Sequence, residues 1–140
     1  MCEIIPYEKK YEDDVMRLIE AEGEAWKIYW GMPNALRYRE SLGKSITYLA
    51  LCDQKVCGYS RSLNDALCIY VCDLLVNQEY RGREIGRKLM ECVKDAFPET
   101  EVYIMSGNDA YYSTLGYQKE GSIYLLGNKE PSTGESSCSI

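Results

Sequence analysis

The chain has 140 residues, which is room for one domain with a real core and not for two. Hydrophobic residues make up 46% of it, as in an ordinary globular protein, and no run of about 18 apolar residues is present to span a membrane. The net charge of −6 removes nucleic acid as a bulk partner, because a phosphate backbone demands a basic face, and it suits a cationic substrate such as an amine.

Residues 3–6 read as a short first strand. Glu8 to Gly23 carries Val15, Leu18 and Ile19 on one face with charges opposite, the pattern of an amphipathic helix. Residues 24–31 (EAWKIYWG) are aromatic and end at a glycine. A second helix runs from Pro33, a residue suited to a first turn, to about Ser41. From Ser45 the period changes to that of strands, and residues 46–63 form a hairpin around Asp53-Gln54-Lys55. Leu67 to Val76 is the next strand, apolar on both faces as a covered central strand would be. A helix follows from Gly86 to Phe97, with Ile85, Leu89, Cys92, Val93 and Ala96 as its buried stripe. Val102 to Met105 is a strand, Ala110 to Leu115 a short helix ended by Gly116, and Gly121 to Leu126 a last strand. One domain is expected over residues 1–128. Residues 129–140 are polar and turn-rich and are expected to be a disordered tail.

The N-terminal residues MCEIIPYEKKYEDD place charges where a signal peptide needs an apolar core, so a cytoplasmic protein is expected. The seven cysteines are an odd number with no CxxC pair. A disulfide framework is therefore not expected, nor a metal site, and most of them read as small apolar fillers. There is no histidine, which excludes Ser-His-Asp and Cys-His catalysis. Acid–base work falls to Tyr, Cys, Asp, Glu, Lys or bound water.

Val71 to Met90, VCDLLVNQEYRGREIGRKLM, is the most telling stretch. A buried strand leads through a glycine- and arginine-rich loop into an amphipathic helix. The first N–H groups of a helix have no internal partner, and its dipole adds about half a positive charge there. Small residues let the backbone close around a phosphate, so this order builds a pyrophosphate site. Arg81, Arg83, Arg87 and Lys88 add side-chain cations.

Two motifs resemble the GNAT superfamily of acyl-CoA-dependent N-acetyltransferases. Arg81-Gly82-Arg83-Glu84-Ile85-Gly86 resembles its pyrophosphate loop, and Tyr111-Tyr112-Ser113-Thr114-Leu115-Gly116-Tyr117 its late aromatic signature. The resemblance covers about residues 3–126. It implies an α/β (α+β) fold with a mixed, mostly antiparallel, twisted sheet of six to seven strands and helices on both faces. It also implies acetyl-CoA as co-substrate. The cofactor would lie between the strand Ile69 to Val76 and the strand Val102 to Met105, with the backbone of Leu74, Leu75 and Val76 pairing with pantetheine. Arg81, Gly82, Arg83, Glu84, Ile85, Gly86 and Arg87 would surround the pyrophosphate. Glu84 departs from the family, which usually has glycine there, and adds an anion beside phosphate.

The resemblance makes Tyr112 the general acid for the departing thiolate and a second contact to the cofactor. Asp73 is the candidate base, with Tyr70, Asp65, Glu24 and a water chain as rivals; its other role is to brace neighbouring backbone. Acceptor selection falls to Trp26, Tyr29 and Trp30, with Tyr38, Glu22, Glu24 and Asp65 nearby. An aromatic wall with carboxylates suits a cationic or aromatic amine, small or peptidic; the same aromatics also fit a core. A homodimer through an exposed strand at 118–126 is one reading of the last segment and a monomer the other. The alternative function is a non-catalytic acyl-CoA-binding or regulatory module of the same fold.

Overall fold

The computed structural model describes residues 2–127. The chain folds into β1 (Cys2–Pro6), a 3-10 turn at Lys9–Tyr11, α1 (Glu12–Glu20), a second 3-10 turn at Gly23–Trp26, α2 (Lys27–Trp30) and α3 (Asn34–Lys44). Then come β2 (Ile46–Cys52), β3 (Lys55–Asn64), β4 (Cys68–Val76), a 3-10 turn at Gln78–Tyr80, α4 (Ile85–Ala96), β5 (Glu101–Ile104) and α5 (Asp109–Thr114). The sheet has five strands in the order β1-β2-β3-β4-β5. All neighbours are antiparallel except β4 and β5, which run parallel. The chain divides into two compact units, one ending at Gly107 and one starting at Asn108.

In the first unit the sheet is covered on both faces. Successive strand residues point to opposite sides, so Leu49 and Ala50 fall into different clusters. Leu49, Tyr59 and Leu75 pack with Val15, Leu18 and Ile19 of α1 and with Ala35, Tyr38 and Leu42 of α3. Ala50, Cys52 and Cys57 pack with Ile85 and Leu89 of α4. Each fully buried aliphatic side chain in these clusters contributes about 1.5–3 kcal/mol. The helix expected over 8–23 is shorter: α1 ends at Glu20, and Gly23 takes φ +78, a left-handed turn that glycine adopts without steric cost.

Three expectations change. Among the described residues the sheet has five strands, not six to seven. Residues 121–126 are not a strand, and Ile123, Tyr124, Leu125 and Leu126 are 69–87% exposed. Strand propensity reflects fit to a paired, half-buried surface, and no described strand pairs with this segment. Finally, Cys2 and Cys52 are joined in a disulfide. The β1–β2 register sets them directly opposite, with Cα atoms 4.1 Å apart, a proximity that a sequence separation of 50 conceals. The expected tail at 129–140 and Cys138 lie outside the described residues. No described helix is long and apolar enough to cross a membrane.

Candidate functional site

The site starts where β4 loses its partner. β5 pairs with β4 from Cys68 only to Val71, and the last contact is Met105 N–H to the Val71 carbonyl at 3.2 Å. The β3–β4 register also slips between Arg61 and Ser62, making Cys72 an extra residue on β4. Such a bulge bends a strand and re-aims its backbone. Beyond it, Asn77 donates its N–H to the Cys57 carbonyl at 2.7 Å. Alternation back along β4 then turns the main chain of Leu75 and Asp73 toward β3, and that of Leu74 and Val76 toward the edge β5 has left. Backbone pairing at this edge thus belongs to Leu74 and Val76. Leu75, expected to share it, instead sends its side chain into the α1–α3 core.

The loop after β4 carries the chain to α4. Asn77 Oδ1 accepts the Glu79 N–H at 2.9 Å and fixes the 3-10 turn. Gly82 takes φ +81, and a side chain built there would meet nothing within 4 Å. Glu84, directly before α4, is left-handed at φ +61. Its carbonyl accepts the Lys88 N–H at 3.0 Å, the first bond of the helix. The N–H groups of Ile85, Gly86 and Arg87 therefore precede that ladder at the positive end of the helix dipole. α4 is brought close to the sheet by Gly58, where an added Cβ would lie 3.0 Å from the Leu75 carbonyl and 3.5 Å from Ile85 Cγ2.

The three arginines around this loop are engaged. Arg81 donates from Nε to the Val76 carbonyl at 3.0 Å and from Nη2 to Glu22 Oε1 at 2.9 Å. Arg83 lies 5.1 Å from the Tyr80 ring centroid. Arg87 pairs with Glu84 at 2.9 Å and with Glu91 at 2.8 Å. The Glu84 carboxylate thus turns along the helix to Arg87, whose hydrogen bond and charge lower its pKa.

Beside Leu75, the face of β4 toward α3 holds a closed polar cluster. Asp73 is 4% exposed. Its Oδ2 accepts Arg61 Nε–H at 2.6 Å and Tyr38 O–H at 2.7 Å, and the Tyr38 and Tyr59 hydroxyls lie 2.6 Å apart. Burial, reinforced by Asp73, raises Tyr38 and pushes Tyr29 up to about 12. Burial disfavours the Arg61 charge, but Asp73 outweighs it and holds that pKa up. Trp26, Tyr29 and Trp30 are half-buried and pack onto this core. Tyr29 bridges Trp26 and Tyr38 at ring separations of 5.4 and 4.9 Å, while Trp30 Nε1 donates to the Gly23 carbonyl at 2.9 Å.

The rival bases are placed elsewhere. Asp65 accepts the N–H groups of Leu67 and Cys68 in an exposed turn. Glu24 is exposed beside Lys27, and Tyr70 stacks on Tyr103 at 5.7 Å.

In the second unit, Asn108 Oδ1 caps α5 through the Tyr111 N–H at 3.2 Å. Tyr112 stacks with Tyr117 at 6.5 Å and meets Tyr111 edge-on at 5.1 Å. Burial first, then its two tyrosine neighbours, pushes Tyr112 up to about 12. Gly116 turns the chain at φ +85, and the Tyr117 N–H returns to the Tyr112 carbonyl at 3.1 Å.

A parted β4 edge that ends over a glycine-flanked helix start has a counterpart among known families. The profile of the acetyltransferase (GNAT) domain matches residues 43–119, more than half of the chain. The chain belongs to the GNAT acetyltransferase family. A GNAT family acetyltransferase from Streptococcus pneumoniae TIGR4 is 25% identical over 91% of this chain and all of its own, with a TM-score of 0.69. An aminoglycoside acetyltransferase from an uncultured soil metagenomic sample is 20% identical, over 92% of this chain and 99% of its own, with a TM-score of 0.69. The PaiA N-acetyltransferase of Thermoplasma acidophilum, solved in complex with coenzyme A, is 14% identical over 83% of this chain and 87% of its own, with a TM-score of 0.62. No curated protein matches the chain significantly. The protein is thus a GNAT-type N-acetyltransferase. GNAT acetyltransferases take acetyl-CoA, and the residues here fit it: an open strand edge for amides and a bare helix start for phosphate.

Proposed function

We propose that this GNAT protein moves an acetyl group from acetyl-CoA to a primary amine by direct attack. The parting of β4 and β5 after Val71 carries the reading, because it leaves Leu74 and Val76 main-chain groups at an edge that an extended chain of amides can join as an added strand. The pyrophosphate falls to the N–H groups of Ile85, Gly86 and Arg87, with Gly82 leaving room above the loop. Arg81 and Arg83 shape that loop through Val76, Glu22 and Tyr80. The Leu74 N–H is placed to polarise the thioester carbonyl and hold the oxyanion.

Tyr112 is the general acid. A phenol with its pKa near 12 keeps its proton at neutral pH and can give it to a departing thiolate. Asp73 is the brace of the acceptor face rather than the base, since Arg61 and Tyr38 already hold its carboxylate; the amine loses its proton to water. The acceptor meets the outer faces of Trp26, Tyr29 and Trp30. Their aromatic surface and the chain's net charge of −6 favour a cationic amine.

The test is thiol release from acetyl-CoA with a polyamine, an aminoglycoside, an amino acid and a peptide bearing a free N-terminus. Turnover with any of them supports the reading and ranks acceptor classes. Tight acetyl-CoA binding with no turnover across the panel would favour the non-catalytic module.

A further inference from the structure

Cys2, Cys52 and Cys57 offer sulfur atoms that all lie within 4.8 Å of one another. Cys2 and Cys52 are bonded across β1 and β2. Cys57 Sγ lies 2.6 Å from Cys52 Sγ. The β2–β3 ladder pairs Ala50 with Gly58 and Leu51 with Val56, so Cys57 is an extra residue on β3, and the shift turns its thiol onto the same face as Cys52. Cys52 and Cys57 are each 1% exposed, whereas Cys2 is half-buried at the sheet edge. A third sulfur beside a disulfide, with one end of the row reachable from solvent, is the arrangement that thiol–disulfide exchange requires.

We propose that these three cysteines form a thiol–disulfide exchange site that makes Cys2 the point of attachment for a small thiol. The Cys57 thiol loses its proton and attacks Cys52 Sγ. The Cys52–Cys57 bond forms, the Cys2–Cys52 bond breaks, and its electron pair leaves on Cys2, which takes up a proton; no oxidant is consumed. The Cys2 thiolate then attacks a small disulfide, forming a mixed disulfide and releasing one equivalent of thiol. A small thiol reverses the sequence. Burial pushes the Cys57 thiol up, so the attacking thiolate is scarce and the exchange is slow.

The two bonded states differ in what they hold. The first staples β1, whose only strand partner among the described residues is β2, to the sheet. The second frees β1 and closes the β2–β3 hairpin directly beneath α4, where Cys57 packs with Ile85 and Leu89 and accepts the Asn77 N–H. The exchange thus reaches the floor of the loop leading into α4.

The full chain is incubated with glutathione disulfide, quenched by acid and alkylation, and mapped by peptide mass spectrometry. The expected product carries glutathione on Cys2 and a Cys52–Cys57 disulfide in the same molecule. Cys57→Ser, shown folded by circular dichroism, is expected to keep Cys2–Cys52 and lose the adduct. Cys2→Ser is expected to form Cys52–Cys57 under the same oxidant. Glutathione addition to Cys57→Ser at the wild-type rate overturns the proposal. So does a folded Cys2→Ser protein whose Cys52 and Cys57 both remain alkylatable.

Discussion

Asp73 accepts Arg61 and Tyr38 on one oxygen, 2.6 and 2.7 Å away, in a site that is 4% exposed. Removing one member of a buried ion pair strands the other charge and costs about 3–5 kcal/mol, whereas replacing both by apolar residues is often neutral. Asp73→Asn should therefore lower stability by that amount in denaturant titration. The double variant Arg61→Met, Asp73→Leu should recover most of it and keep turnover. A stable double variant without activity would make Asp73 the base. Tyr112→Phe should cut kcat by about a hundredfold or more, the ordinary share of a general acid, with acetyl-CoA affinity unchanged; full activity would leave Tyr112 a packing residue. Glu84→Gly removes a left-handed side chain and an anion that occupies Arg87. Calorimetry should show several-fold tighter acetyl-CoA binding. At this scale the motifs made the loop and the late aromatic segment legible, because each is contiguous in sequence. It did not reveal that Arg61 stands across the ladder from Asp73, since that pairing depends on the register shift at Arg61/Ser62.

At the scale of elements, the pattern of apolar residues was enough for α1, α3, α4 and the three-strand meander, because each helix buries one face and the strands are covered on both. Residues 121–126 defeated it, since composition alone does not supply a partner strand. The placement of α4 depends on a residue outside it: Gly58 leaves room for Ile85 over the end of β4. Gly58→Val should push the helix start away from the sheet and weaken acetyl-CoA binding at least tenfold by calorimetry, about 1.4 kcal/mol. Unchanged affinity would detach the helix start from phosphate binding. α1 and α3 are clamped through Arg39, which pairs with Glu12 at 3.0 Å and Asp13 at 2.7 Å. The hydrogen bond from Lys9, then that from Arg39, lowers Glu12 below its usual 4.5 although burial opposes this. A carboxylate depressed in the folded state adds stability above its unfolded pKa, and that stability is lost as pH falls through the folded value. Thermal stability should thus decline below pH 4.5, and Glu12→Gln should flatten that decline; an identical acid limb would show that the clamp contributes nothing.

At the scale of the molecule, the order of β1, α1, α3, β2, β3, β4, α4 and β5 was legible because each has its own pattern, whereas the short α2 was not. The Cys2–Cys52 link was not, since it joins residues far apart in sequence. Together, the parted edge of β4 and the start of α4 form the proposed acyl-CoA site. Calorimetric titration of the purified chain with acetyl-CoA, with ATP as comparison, tests it most directly. The expected result is micromolar binding of acetyl-CoA that ATP does not reproduce and that Gly86→Asp abolishes. No heat of binding from a folded, monodisperse protein would contradict it.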